Sequence, residues 1–190
     1  PEETLQNIIL DLNGFTISDT TATTSLFTIV GHSKLTIDDS SSGKTGAITA
    51  KGNTTKSIRG FDVARGTLVL NNGKISDFSL ENTEGLTGAG VSVWSNATFI
   101  MNGGEISNCT AERGGAVDTD GTFIMTGGTI TNNTASKNGG GIATSVNVTI
   151  GGTANVTGNK VGENDNNLYL ETGRQIILNT PASGMSVGVT

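Results

Sequence analysis

Short runs of alternating apolar and polar residues recur along the chain, each bounded by Gly, Asn, Ser or Thr. In residues 98–101, TFIM, the side chains of Phe99 and Met101 fall on one face of such a run. Alternation with a period of two predicts a β-strand with one buried face, and glycine and asparagine mark the turns between strands. No stretch keeps the i, i+3, i+4, i+7 spacing of an amphipathic helix over three turns. The pattern therefore predicts an all-β protein.

The same runs return at a regular interval. Residues 103–117, GGEISNCTAERGGAV, match residues 127–142, GGTITNNTASKNGGGI, through most of their length, 24 residues further on. An earlier copy spans residues 67–91 and a looser one spans residues 148–170. A period in the twenties is typical of a solenoid, in which each repeat buries its apolar face only against the next. Each copy contains three short strands, so we expect one parallel β-helix domain over residues 1–190, with roughly six to seven coils of about 24–33 residues.

Asparagine and glycine occupy the predicted corners of these coils. Asn133 and Asn159 recur at one corner, where their amides are expected to hydrogen-bond from coil to coil. Phe78 and Cys109 hold the same position in earlier copies, so we expect the asparagine ladder to be confined to the later coils. The glycines expected to supply positive φ angles at corners are Gly103, Gly104, Gly127 and Gly128. These residues therefore indicate structural corners of the coils rather than a catalytic loop.

Composition and charge exclude several classes of function. The net charge of −6, with Lys and Arg scattered, argues against nucleic acid or an anionic membrane as partner. No apolar run is long enough to span a membrane, so we expect no membrane insertion. The one cysteine, Cys109, allows no internal disulfide and is expected to be a buried thiol. We interpret the chain as a module excised from a longer protein, with residues 1–7 as a polar cap and the other end joining neighbouring domains.

The repeat also resembles a known group of proteins. Residues 106–117, ISNCTAERGGAV, and 130–142, ITNNTASKNGGGI, share an apolar residue, an Asn-like corner and a glycine-rich step into Val or Ile. This pattern resembles the repeats of the chlamydial-type polymorphic outer-membrane proteins. Nearly all 190 residues look similar to the right-handed parallel β-helix (pectin-lyase-like) segments of large surface proteins from gut-type Gram-positive bacteria. The resemblance implies a right-handed β-helix in an extracellular, cell-surface setting, and it implies no particular reaction.

One candidate contact surface is apolar. Strand alternation turns Ile100 and Ile124 outward, and Val69 falls in the same column one coil earlier. These three residues predict an exposed apolar ladder, and contiguous exposed apolar residues often mark partner sites. The alternatives are that strand propensity alone explains β-branched residues at these positions, or that a loop covers them.

The other candidate contacts are aromatic. Trp94, the only tryptophan, ends a predicted strand beside residues 81–88, ENTEGLTG, an insertion that lengthens one corner. Loops that protrude from a regular scaffold often carry recognition residues, and an exposed tryptophan can stack on a sugar or pack on a protein. Tyr169, the only tyrosine, completes the candidate binding set.

An enzyme is the main alternative, because many β-helices cleave or epimerise acidic polysaccharides. A polygalacturonase-like site needs paired aspartates for acid and base catalysis, with a nearby His and Arg or Lys. The only histidine, His32, is followed by Asp38 and Asp39 and then by Arg59, which is the wrong order for that family. The sequence therefore predicts no catalytic residues.

A calcium-dependent lyase site has only weak candidates. Asp118 and Asp120, in the segment DTDG, could offer two oxygen ligands. The equivalent positions in the neighbouring coils carry no carboxylate, so a third or fourth ligand is missing. We expect neither a metal nor a cofactor.

The sequence as a whole favours a non-catalytic extracellular module of a bacterial surface protein. It would act as an adhesin or as a rigid stalk, with a host or microbial surface glycan or protein as partner. Two alternatives stay open. One is a polysaccharide-active enzyme of the pectin-lyase-like class, and the other is a phage or virion fibre segment that trimerises along an apolar stripe.

Overall fold

The fold is a right-handed parallel β-helix of about seven turns, as the repeat predicts. The computed structural model describes residues 6–21, 24–81 and 85–190. Within these ranges every regular element is a strand, and no helix is long and apolar enough to cross a membrane. The expected polar cap falls mainly on residues 1–5, which lie outside the described part of the chain.

Three long sheets run along the rod, and each coil adds one strand to each of them in parallel. Sheet I consists of β1 (Asn7–Asp11), β4 (Lys34–Asp38), β7 (Gly66–Leu70), β10 (Ala97–Met101), β14 (Thr122–Met125), β18 (Val148–Gly152) and β23 (Ile176–Pro181). Sheet II consists of β2 (Thr16–Ser18), β5 (Ala47–Thr49), β8 (Lys74–Ser76), β11 (Glu105–Ser107), β15 (Thr129–Thr131), β19 (Asn155–Thr157) and β24 (Ser186–Val187). Sheet III consists of β3 (Ser25–Ile29), β6 (Arg59–Val63), β9 (Val91–Val93), β13 (Val117–Thr119), β17 (Ile142–Thr144) and β22 (Leu168–Leu170).

A fourth, shorter sheet was not predicted from the sequence. Sheet IV consists of β12 (Thr110–Arg113), β16 (Thr134–Asn138), β20 (Lys160–Val161) and β21 (Asn164–Asp165). Its strands read TAER and TASKN, and only the small side chains of Ala111 and Ala135 are buried in them. Without an apolar alternation, these segments look like polar corners in the sequence.

The strand register matches the predicted coil lengths. Ile100 pairs with Ile124, 24 residues later, and Thr36 pairs with Val69, 33 residues later. The inward positions of each strand form columns of apolar side chains inside the rod. Phe99 and Phe123 are neighbours in one such column, with stacked rings whose centroids lie 5.3 Å apart. The inward orientation of the alternating apolar residues is therefore confirmed.

The predicted asparagine ladder is present and is confined to the later coils. Asn133 and Asn159 are fully buried and hydrogen-bonded to each other, and Asn167 extends the ladder beyond Asn159. In the earlier coils Phe78 and Cys109 occupy the same corner and are equally buried. Burial raises the pKa of the Cys109 thiol to about 12, so this cysteine is an inert part of the core.

The two glycines of each corner pair have different roles, which corrects the expectation that both supply positive φ. Gly104 and Gly128 have φ of 74° and 83°. Gly103 and Gly127 do not have positive φ, but a Cβ at these positions would lie 2.2 Å and 2.5 Å from a carbonyl oxygen of the preceding coil. The first glycine of each pair thus permits close coil stacking, and the second permits the turn.

Candidate binding cleft

The candidate binding residues lie on two different faces of the rod. Val69, Ile100 and Ile124 belong to the outer face of sheet I. Trp94 and Tyr169 belong to the outer side of sheet III, at the end of β9 and within β22. The structure therefore does not bring the predicted set together as one surface.

The apolar ladder on sheet I is not exposed as predicted. Val69 is only 5 % exposed, whereas Ile100 and Ile124 are partly exposed. Val69 pairs in register with Thr36 on one side and Ile100 on the other, about 4.8 Å away on each side. Ile100 also lies between two β-branched residues, Val69 and Ile124, and stays partly exposed, so these neighbours alone do not explain the burial of Val69. The expectation that Val69 is exposed is wrong.

Trp94 is exposed and held in one orientation. Its side chain is 55 % exposed, and its indole Nε1 donates a hydrogen bond of 2.7 Å to Oδ1 of Asp62, one coil earlier. Its backbone N–H donates to the carbonyl of Val63, and its own carbonyl accepts from Ala97 to close a turn. The backbone and the indole N–H are thus both fixed, while the faces of the ring remain available for contact.

Trp94 borders a small cleft between sheet III and the corner insertion. The cleft has a volume of about 120 Å³. The insertion contributes Leu86 and Thr87, and the sheet contributes Ser92 and Asp118. Residues 82–84 of the insertion lie outside the described part of the chain. An aromatic ring, an apolar side chain and polar groups therefore meet in one concave site.

Arg59 anchors the insertion to the sheet. Its Nη2 donates to the carbonyl of Thr87 at 2.7 Å, and its Nε donates to the carbonyl of Gly88 at 3.2 Å. Its Nη1 lies 3.5 Å from Oδ1 of Asp62. Burial lowers the pKa of Arg59, an effect opposed by the nearby carboxylates of Asp62 and Asp118, and the guanidinium stays charged. Arg59 is therefore a structural cation behind the cleft.

Asp118 and Asp120 differ in their partners. Asp118 is nearly buried and accepts a hydrogen bond of 2.8 Å from Nε of Arg113, which also pairs with Glu171. Burial raises the pKa of Asp118, and a hydrogen bond from Thr87 and the charge of Arg113 oppose that rise. Asp120 is exposed and accepts a hydrogen bond from the Ser145 hydroxyl.

These two carboxylates were the weak metal candidates. Within the described ranges, no group of three or more His, Cys, Asp or Glu side chains is placed to hold a metal ion. Asp118 is instead committed to its ion pair with Arg113.

The residues considered for a polygalacturonase-like site are not brought together. His32 and Asp39 flank opposite ends of β4, which places them roughly 20 Å apart along an extended chain. Asp39 is fully buried, and its carboxylate accepts backbone N–H groups from Gly14, Ser41 and Gly46. Burial alone would raise the pKa of Asp39, but these hydrogen bonds outweigh it and lower the pKa to about 2. Asp39 therefore organises a corner of the early coils.

Tyr169 lies outside the cleft. It pairs with Ala143, which pairs with Asp118, so it lies two strands beyond the cleft in the same outward column. The separation from β9, the strand that ends at Trp94, is three strands, or about 14 Å. Asp62, which orients Trp94, was missed in the sequence, although it falls in the same column as Asp118 once the repeats are aligned.

Comparisons of the chain with protein families, with curated proteins and with solved structures find no match. The cleft at Trp94 is thus described by its own geometry: a fixed and exposed indole, a hydrophobic side chain from the insertion, and one exposed carboxylate beside an internally paired one.

Proposed function

We propose that the chain is a non-catalytic, extracellular binding module of a bacterial surface protein. The rod acts as a rigid support, and the cleft at Trp94 contacts the partner. The observation that carries this proposal is the half-exposed indole of Trp94, which is fixed by its hydrogen bond to Asp62. A preoriented aromatic ring offers a large contact area at a low cost in conformational entropy.

The surrounding scaffold supports a presenting role. Parallel coils in register, a continuous apolar interior and a buried asparagine ladder leave little freedom for bending. A binding site on such a support keeps its geometry in the absence of the partner. The bacterial cell-surface setting and the pectin-lyase-like affiliation rest on the resemblance of the repeats. The partner is a surface glycan or a surface protein.

A polysaccharide-active enzyme is a second candidate, because one observation favours it. Asp118 is a nearly buried carboxyl with a raised pKa that lines a cleft, and perturbed acids in clefts are frequent at catalytic sites. Its ion pair with Arg113 is a structural explanation for the same burial. We therefore rank binding above catalysis.

The experiment is an array of surface glycans and of host and microbial surface proteins, probed with the isolated module. Trp94→Ala is expected to abolish capture of a specific partner. Tyr169→Ala is the matched control, since it removes an aromatic side chain from the same sheet outside the cleft, and it should retain capture. Specific capture that survives Trp94→Ala, or no capture at all, contradicts the proposal.

The enzyme candidate is tested beside the array. Release of unsaturated uronides from acidic polysaccharide by the wild-type module, with loss of that activity in Asp118→Asn, would replace binding by catalysis as the better account. We expect no release from either protein.

A further inference from the structure

Two of the hydrogen-bond donors that border the cleft, among the described residues, are already occupied. The indole N–H of Trp94 is bonded to Asp62. The guanidinium of Arg59 is directed to the carbonyls of Thr87 and Gly88. The described groups that remain available to a ligand include the faces of the indole, the apolar side chain of Leu86, the hydroxyl of Ser92 and the carboxylate of Asp120. The cleft therefore offers an aromatic face and acceptors, which suits a group that only donates hydrogen bonds.

The charge around the cleft is negative. Arg59 offsets Asp62, and Arg113 offsets Asp118. Asp120 accepts a hydrogen bond from Ser145, but no ion pair among the described residues includes it. The chain as a whole carries a net charge of −6. A cation is therefore attracted to this site, both locally and at long range.

The volume of the cleft limits the size of the group. At about 120 Å³ the cleft is small beside the roughly 300–1,000 Å³ of a typical small-molecule pocket. A slender side chain such as that of lysine, with four heavy atoms beyond its Cβ, suits a cleft of this kind. A neutral hexopyranose would leave the charge of Asp120 unpaired, whereas a lysine ammonium group supplies a counter-charge.

We infer that the cleft binds a lysine side chain of a partner protein. Its methylene stem packs between Trp94 and Leu86, and its ammonium group lies against the indole face and donates to Asp120. Long cationic side chains commonly bury their stems on apolar surface, and ammonium groups are attracted to tryptophan faces. This inference rests on the proposed binding function and narrows its partner to a protein.

The emission of Trp94 reports this site alone, because the chain has no other tryptophan. We would titrate the module with the peptide Gly-Gly-Lys-Gly-Gly and with its Nε-acetyl-lysine twin, at low salt. The lysine peptide is expected to change the emission saturably. The acetylated twin should bind at least about tenfold more weakly, because acetylation removes the charge used by both the indole and the carboxylate.

Variants locate the contact. Asp120→Asn should weaken the lysine peptide about two- to fivefold, as expected for a solvent-exposed ion pair. Glu163→Gln is the matched control, since it removes the same charge from an exposed turn away from the cleft, and it should leave the affinity unchanged. Equal binding of the two peptides, or equal effects of the two variants, overturns the inference.

Other outcomes separate this inference from the proposal on which it rests. In one such outcome, array capture depends on Trp94, and glucosamine or another glycan changes the emission while the lysine peptide does not. The lysine assignment then fails and the binding function stands. If the peptides do not bind and array capture is independent of Trp94, both fail. Circular dichroism of each variant confirms that it keeps the β fold.

Discussion

The side-chain amide of Asn133 donates a hydrogen bond of 2.8 Å to Oδ1 of Asn159, one coil later. The same Oδ1 accepts the backbone N–H of Asn133 at 3.1 Å. Both side chains are fully buried at a corner of an otherwise apolar interior. A buried amide is stable only when its donors and acceptors are satisfied, so this pair couples the stability of neighbouring coils.

Asn133→Ala should therefore be strongly destabilising. It leaves the N–H of Cys109 and the carbonyls of Ile106 and Thr131 without their amide partner. We expect the free energy of unfolding in urea to fall by about 2–4 kcal/mol. Asn132→Gly is the control, because Asn132 is exposed and has a φ of 56° that glycine adopts freely, and its effect should stay within about 0.5 kcal/mol. Similar losses in both variants would contradict the ladder as a stabilising element.

Coil stacking at the glycine corners gives a second comparison. Gly128 and Gly173 have nearly equal φ, 83° and 81°. A Cβ at Gly128 would lie 2.7 Å from the carbonyl oxygen of Gly103, whereas a Cβ at Gly173 has no neighbour within 4 Å. Gly173→Ala should cost about 1 kcal/mol of backbone strain, and Gly128→Ala about 2–4 kcal/mol because crowding is added. Thermal or urea unfolding of both variants measures the difference, and equal costs would show that the coils do not stack this closely.

Acid sensitivity should depend on Asp39. Its pKa in the folded protein is about 2, below the ordinary value of 3.8. Its contribution to stability is therefore complete above pH 4 and is lost as the pH falls from about 4 to 2. Asp39→Asn should have a lower Tm than wild type at pH 7, and its Tm should fall less on acidification through this window. Asp165→Asn, in the exposed short strand β21, is the control and should behave as wild type. A parallel acid response of wild type and Asp39→Asn would refute this role.

The outer face of sheet I should tolerate polar replacement. Ile100 and Ile124 are partly exposed, and Thr36 and Thr149 already occupy the same column. Ile100→Thr combined with Ile124→Thr should cost about 1 kcal/mol or less per site and should leave partner capture unchanged. Loss of capture in a variant that keeps its fold would move the contact from the cleft to this face.

Much of the fold was predictable because equivalent residues of successive repeats pair in register, so aligning the repeats in the sequence gives the strand pairing. The correspondence of Phe99 with Phe123 and of Ile106 with Ile130 set the strands, the inward columns and the coil length. The replacement of asparagine by Cys109 also indicated where the ladder ends. These features depend on interactions between equivalent positions of successive coils. Those positions can be identified from a single sequence when the sequence is repetitive.

The candidate site was less predictable, because it depends on residues that are not repeated at the equivalent positions of other coils. Periodicity placed Trp94 at a strand end, but not its hydrogen bond to Asp62 or the anchoring of the insertion by Arg59. Periodicity turned Val69 outward without indicating that its side chain would be buried there. Burial on an outer face depends on the three-dimensional surroundings of each strand, which alternation of polar and apolar residues does not encode.

The most direct test of the binding cleft is hydrogen–deuterium exchange of the module with and without a partner captured on the array. We expect added protection in residues 85–95 and 117–121, which form the cleft and the strands beside it. Protection confined to residues 97–101 and 122–125 of sheet I, with none around Trp94, would contradict it.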